Sequence, residues 1–97
     1  MLITYLRDDD NVPHGCFVSD GLNRLGMSFC NKEDKFIKKV GVELAVASMT
    51  TPDKALEILV DRIEAYKGKN PAVTAVDVIR LLEFRDRIKK YYKEELC

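Results

Sequence analysis

The chain changes its hydrophobic period once, near residue 31, and that change constrains its fold more than any other feature. Before it lie three short runs rich in β-forming side chains: residues 2–6 (LITYL), 15–19 (GCFVS) and 22–30. Residues 7–13 (RDDDNVP) form the first link, where Asp, Asn and Pro each favour a tight turn for a separate reason. Ser19, Asp20 and Gly21 form the second link. Three strands joined by short turns predict an antiparallel meander. Gly26, inside the third run, predicts a bulge or a close backbone approach.

After residue 31 the apolar spacing becomes helical. Asn31 reads as an N-cap, with Glu33 and Asp34 in the first turn and Asp34 at the capping-box position. Phe36, Val40, Leu44 and Ala47 then share one face, with Ile37 beside them. Residues 40–49 also carry a rival pattern, because Val40, Val42, Leu44 and Val46 alternate with the period of a strand. A second helix opens at Thr51 as cap and Pro52 as first residue, and Gly68 stops it. Its apolar stripe is Leu56, Leu59, Val60, Ile63 and Tyr66. A third helix starts at Asn70-Pro71 or at Thr74, whose capping-box partner is Asp77, and runs to about Glu95. Val78, Leu81, Leu82, Ile88 and Tyr91 or Tyr92 carry its apolar face. Glu83 with Arg87 and Asp86 with Lys90 are acid-before-base pairs at i,i+4. The third helix outreaches the second, so one end is expected to overhang.

The fold class is therefore α+β: an N-terminal three-stranded antiparallel sheet followed by three helices, the last two an α-hairpin. Ninety-seven residues suit a single domain, 1–97, with one modest core. Sixteen acidic and sixteen basic residues balance, so no global field draws the chain to nucleic acid, and an anion-binding role must rest on a local patch. No apolar run approaches the roughly 20 residues needed to span a bilayer. The N-terminus lacks a secretory pattern, and the odd set Cys16, Cys30 and Cys97 reads as free thiols. These features point to a cytoplasmic protein without a membrane partner.

One local patch does stand out. Lys32, Lys35, Lys38 and Lys39 crowd into eight residues at the start of the first helix. They read either as a solvated face or as an anion site, since ammonium groups beside the unpaired amides of a helix start suit phosphate. Arg24, on the preceding strand, joins them, so Arg24, Lys35, Lys38 and Lys39 are the candidate ligand-binding residues. Val42 and Val46 fall on the lysine side, with Gly41 and Ala45 between the faces. A helix apolar nearly all round is buried from several directions. Gly41, Val42, Ala45 and Val46 are therefore expected to meet a second protomer, giving a homo-oligomer.

The other constellations are weak. His14, Cys16, Cys30 and Cys97 lack metal-ligand spacing, so no metal is expected. His14 and Cys16, two apart on an extended chain, share a face but have no evident third group to orient them. Asp8, Asp9 and Asp10 lack the spaced pattern of a calcium loop and read as a solvated turn. No phosphate loop, nucleophile elbow or H-E-x-x-H is present, so neither catalysis nor a cofactor is expected. The third helix mixes Arg80, Arg85, Arg87, Lys89, Lys90 and Lys93 with acids, the pattern of a salt-bridged exposed helix. Nucleic-acid binding stays open as an alternative function.

Residues 28–45 carry a resemblance. Ser28-Phe29-Cys30-Asn31-Lys32-Glu33-Asp34-Lys35-Phe36, then Lys38-Lys39-Val40-Gly41 and Ala45, resembles a segment of small phage and prophage accessory proteins. There a strand ending Ser-x-Cys leads into a helix beginning Asn-Pro-x-Asp-x-Phe-x-Lys-Lys-x-Gly. Lys32 replaces the frequent proline, and Ser48 and Met49 occupy the region of a frequent arginine. The sheet-then-helices plan is also similar to that of phage anti-defence proteins that assemble as oligomers and sequester nucleotide immune signals. The resemblance implies a non-catalytic binding protein, acting in the host cytoplasm. It would counter host defence by holding a nucleotide signal or blocking a host protein. An oligomeric interaction module without a small-molecule ligand is the other alternative.

Overall fold

The computed structural model describes residues 1–30, 35–65 and 75–96. Three strands, β1 (Leu2–Arg7), β2 (Pro13–Ser19) and β3 (Gly26–Phe29), precede three helices, α1 (Lys38–Ala47), α2 (Pro52–Ala65) and α3 (Ala75–Leu96). The strands form an antiparallel sheet in the order β1-β2-β3, as the short links predict. The first turn closes on Asp8, whose carboxylate accepts the amides of Asp10 and Val12, while Asn11 takes a left-handed φ of 63°. The third strand is shorter than its β-rich sequence suggests. Residues 20–24 form the turn, and Leu25 leaves the sheet to bridge Thr50.

The sheet lies between two helical layers. Leu6, Phe17, Leu25 and Met27 face α2 and α3, where Ala55, Leu59, Leu81, Phe84 and Ile88 complete the main core. The opposite face of the sheet gives Cys16 and Val18, with Ile3 and Tyr5, to α1 through Ala45 and Val42. This alternation follows from the two-residue period of a strand. It lets each of the three strands serve two cores.

The α2–α3 pair is antiparallel. Arg62, near the end of α2, and Asp77, at the start of α3, both lie near Phe29 or its stacking partner His14. At the other end Asp53 of α2 pairs with Arg85, and the Tyr92 hydroxyl donates to the Ser19 carbonyl. Thr51 caps α2 by accepting the Lys54 amide at 3.2 Å, and Pro52 takes the first position, as expected. Gly68, Tyr66, the Asn70-Pro71 start and Thr74 lie outside the described residues. Phe84, absent from the expected apolar face, sits at the centre of the core against Phe17. Val60 is exposed instead. Neither Glu83–Arg87 nor Asp86–Lys90 closes as an ion pair among the described residues; Arg87 lies over the Phe84 ring.

The first helix departs most from the sequence reading. Residues 40–47 are helical, which removes the strand alternative, but α1 starts at Lys38 and not near residue 31. Asn31, Lys32, Glu33 and Asp34 lie outside the described residues. Lys35, Phe36 and Ile37 are non-helical, and Ile37 is an extended N-cap (φ −105°, ψ 114°). The buried face is also rotated: Gly41 and Ala45 face the sheet, while Val40 and Leu44 are exposed. The reason is close approach. A Cβ on Gly26 would collide with the Ala45 carbonyl, and one on Gly41 would collide with the Phe36 ring. Small residues on both sides bring helix and strand together, and the extended backbone before the helix folds Phe36 into the space that Gly41 leaves.

Candidate functional site

The junction of β3 with the start of α1 forms an open groove of about 220 Å³. Phe29 of β3, Phe36 and Ile37 of the lead-in, and Val40 and Leu44 of α1 give it an apolar wall. Lys35 stands on its rim. Phe36 is held by an edge-on contact with Tyr5 at 6.4 Å, and Gly41 by a 2.7 Å bond from the Ser28 hydroxyl to its carbonyl. The groove is thus built on side chains fixed from the sheet.

Among the described residues no side chain caps the start of α1. Ile37 offers no side-chain acceptor, and the first turn holds no acidic residue. The first helical bond runs from the Gly41 amide to the Ile37 carbonyl at 2.8 Å, so the amides of Lys38, Lys39 and Val40 precede it. Unpaired amides and a positive helix end attract anions, and lysines in this position repel the helix dipole unless an anion intervenes.

The four candidate ligand residues do not assemble as expected. Lys35 lines the groove. Lys38 is turned to the sheet, its Nζ 4.9 Å from the centre of the Tyr5 ring. Lys39 is exposed on the first turn. Arg24 lies in the β2–β3 turn, not on the strand, and pairs with Asp20 at 2.8 Å. Its neighbour Leu25 bonds Thr50, past the end of α1. Arg24 and the lysines therefore sit at opposite ends of a helix about 15 Å long.

The four candidate interface residues divide as well. Gly41 and Ala45 are covered by the chain's own sheet, and Val42 packs beside them on Cys16 and Val18. Their small or β-branched side chains are accounted for within one chain. Val46 is 38% exposed. The most exposed apolar side chains of this region are Ile37, Val40 and Leu44, at 58, 47 and 59%, on the groove side of the helix.

A second polar cluster escaped the sequence reading. Asp77 on α3 is 1% exposed, with His14 Nε2 at 3.4 Å and Arg80 Nη1 at 3.3 Å. His14 stacks on Phe29, and its buried Nδ1 has no hydrogen-bond partner among the described residues. Leu6 pairs with Gly15 and Arg7 with Pro13, so His14 is the extra residue of a bulge. The bulge turns it toward α3, whereas Cys16 faces α1 and lies 3.4 Å from the Ser28 hydroxyl. His14 and Cys16 therefore do not share a face, and they form no catalytic pair. Burial raises the Cys16 thiol above its ordinary range, with hydrogen bonds from Ser28 opposing. No sequence spacing points to His14–Asp77; only the polar residue at a helix start hints at it.

Among the described residues no three His, Cys, Asp or Glu side chains gather as a metal requires. No described helix is long and apolar enough to cross a membrane. The arrangement defines a class by geometry alone: an α+β domain whose sheet is held between one helix and a helical pair. Comparison with family models, curated proteins and solved structures finds no match to the chain.

Proposed function

We propose that this protein is a phage-type accessory protein that acts by binding, not catalysis. In this reading it counters a host defence by holding a nucleotide signal in the host cytoplasm. The single observation that supports the reading is the junction of an apolar groove with a lysine-bearing helix start whose N-cap, Ile37, has no capping side chain. A base or other flat ring buries against Phe29, Phe36 and Leu44. A phosphate attached to it meets the α1 amides and the Lys35 ammonium. The groove is small enough that one ring, not a long polynucleotide, is its natural occupant.

Thermal denaturation with a panel of cyclic and linear nucleotides tests this. A ligand that binds the folded state a hundredfold above its dissociation constant stabilises by about 2.7 kcal/mol. Lys35→Ala should remove most of that shift. A flat panel at millimolar ligand would sink the nucleotide reading.

A second observation supports association with another copy. Ile37, just before α1, and Val40 and Leu44 on it make an exposed apolar stripe, with Glu43 beside it. Packing two such helices against each other buries the stripe of both. The same three residues wall the groove, so association covers that wall and competes with the ligand. Light scattering should give a dimer, and Leu44→Lys should give a monomer. A wild-type monomer at high micromolar concentration removes this part and leaves the nucleotide test standing.

A further inference from the structure

A second pocket, of about 230 Å³, lies on the opposite edge of the sheet and on its other face, between β1 and α3. Arg7 lines it from β1, and Arg80 and Arg87, about two turns apart, from α3. Leu6 and Phe84 supply apolar wall, beside Thr4. Each guanidinium is held by a different device. Arg7 donates from Nη1 to the Asn11 carbonyl at 3.0 Å, across the turn that Asp8 ties. Arg80 leans on the buried Asp77. Arg87 lies over the Phe84 ring with its Cζ at 5.8 Å.

These anchors use little of the donor capacity. A guanidinium carries five N–H groups, and the anchoring bonds of Arg7 and Arg80 take one donor each. Glu83 shares the pocket and stands i,i+4 from Arg87, the spacing at which an ion pair forms readily, yet the pair does not close. Asp77 offsets the charge of Arg80, while Arg7 and Arg87 are held by a carbonyl and a ring and not by a carboxylate among the described residues. As β1 is an edge strand, alternate backbone groups along it also face outward.

We infer that Arg7, Arg80 and Arg87 form a binding site for a phosphoryl group carried by a small molecule. One bidentate arginine satisfies a carboxylate, whereas three arginines lining one pocket offer donors for the several oxygens of a phosphate dianion. The organic part lies along Thr4, Leu6 and Phe84. The site is independent of the groove at α1, since the two share no residue and lie on opposite edges of the sheet.

The test is titration of the full-length chain with inorganic phosphate, and separately with ribose 5-phosphate, followed by NMR of the arginine side chains and backbone amides. Saturable shifts at Arg7, Arg80, Arg87 and residues 4–7 are expected. A tighter constant for the sugar phosphate assigns the site to an organic phosphate, and equal constants assign it to the free anion. Arg7→Ala or Arg87→Ala should weaken binding about tenfold. Glu83→Gln should tighten it about fivefold by removing a like charge, a gain that misfolding cannot mimic. Lys35→Ala should leave it unchanged, which separates this site from the groove. Absence of saturable shifts at the three arginines with either probe, or a Glu83→Gln variant that binds no more tightly, overturns the inference.

Discussion

The Ser28 hydroxyl on β3 donates a 2.7 Å hydrogen bond to the Gly41 carbonyl on α1, and this bond seats the helix on the sheet. Ser28 has one proton, and Gly41 takes it. The 3.4 Å contact between Cys16 Sγ and Ser28 Oγ is therefore made with the thiol as donor. Cys16, Ser28 and Gly41 form a short relay through the smaller core. Ser28→Ala leaves the relay broken at its centre and should cost about 1–3 kcal/mol in denaturant unfolding.

The same relay sets a pH dependence. The folded Cys16 thiol has its pKa raised by burial, against the smaller opposing effect of Ser28. A group raised on folding contributes fully below its unfolded pKa, about 8.5 for a thiol. That contribution is lost as pH climbs from there through the folded value. Stability should fall between neutral and strongly alkaline pH more steeply in the wild type than in Cys16→Ala. Iodoacetamide at pH 8 should label Cys16 only as fast as the protein unfolds. Rapid labelling of the native state would contradict the burial argument.

Gly41 offers a test by sign. Alanine in an exposed helix stabilises by about 1 kcal/mol relative to glycine. Here its Cβ meets the Phe36 ring, so Gly41→Ala should instead destabilise, by about 1–3 kcal/mol as overpacking does. Phe36→Leu added to Gly41→Ala should recover part of the loss. A double-mutant cycle in urea measures the recovery.

Asp77 is a buried carboxylate shared by His14 and Arg80. Removing it leaves two polar side chains without their acceptor, and Asp77→Ala should cost about 1–3 kcal/mol or more. His14→Ala should cost less, because Arg80 remains on Asp77. The two changes together should be less than additive. Full additivity would mean that the 3.4 Å contact contributes nothing.

The candidate cations should separate by position. Lys35→Ala acts on the groove and should weaken nucleotide binding. Lys38→Ala should act on stability through its place over Tyr5, by about 0.5–1 kcal/mol. Arg24→Ala, at the far end of α1, should change neither. Paired thermal-shift and unfolding measurements on the three variants discriminate these outcomes.

The strands, their antiparallel order and the α2 cap were legible because they depend on local chemistry. Turn residues between β-forming runs, and Thr51-Pro52 before a helical stripe, act over a few residues whatever the rest of the chain does. The α2–α3 hairpin was legible for the same reason, since two strong amphipathic patterns separated by stop signals must cover each other.

What the sequence could not order were choices made by contacts between distant segments. The start of α1 is decided by Phe36 folding back onto Gly41, which a cap pattern at residue 31 does not encode. Its buried face is decided by Gly26 and Ser28, whose demand for close approach outweighs the larger apolar area of Val40 and Leu44. His14 meets Asp77 through a one-residue bulge that reverses the side of a strand. Arg7, Arg80 and Arg87 line one pocket because an edge strand and a helix far along the chain share one core. Local propensity fixes which elements exist, while burial, close packing and the pairing of polar groups decide which surfaces they leave to the solvent.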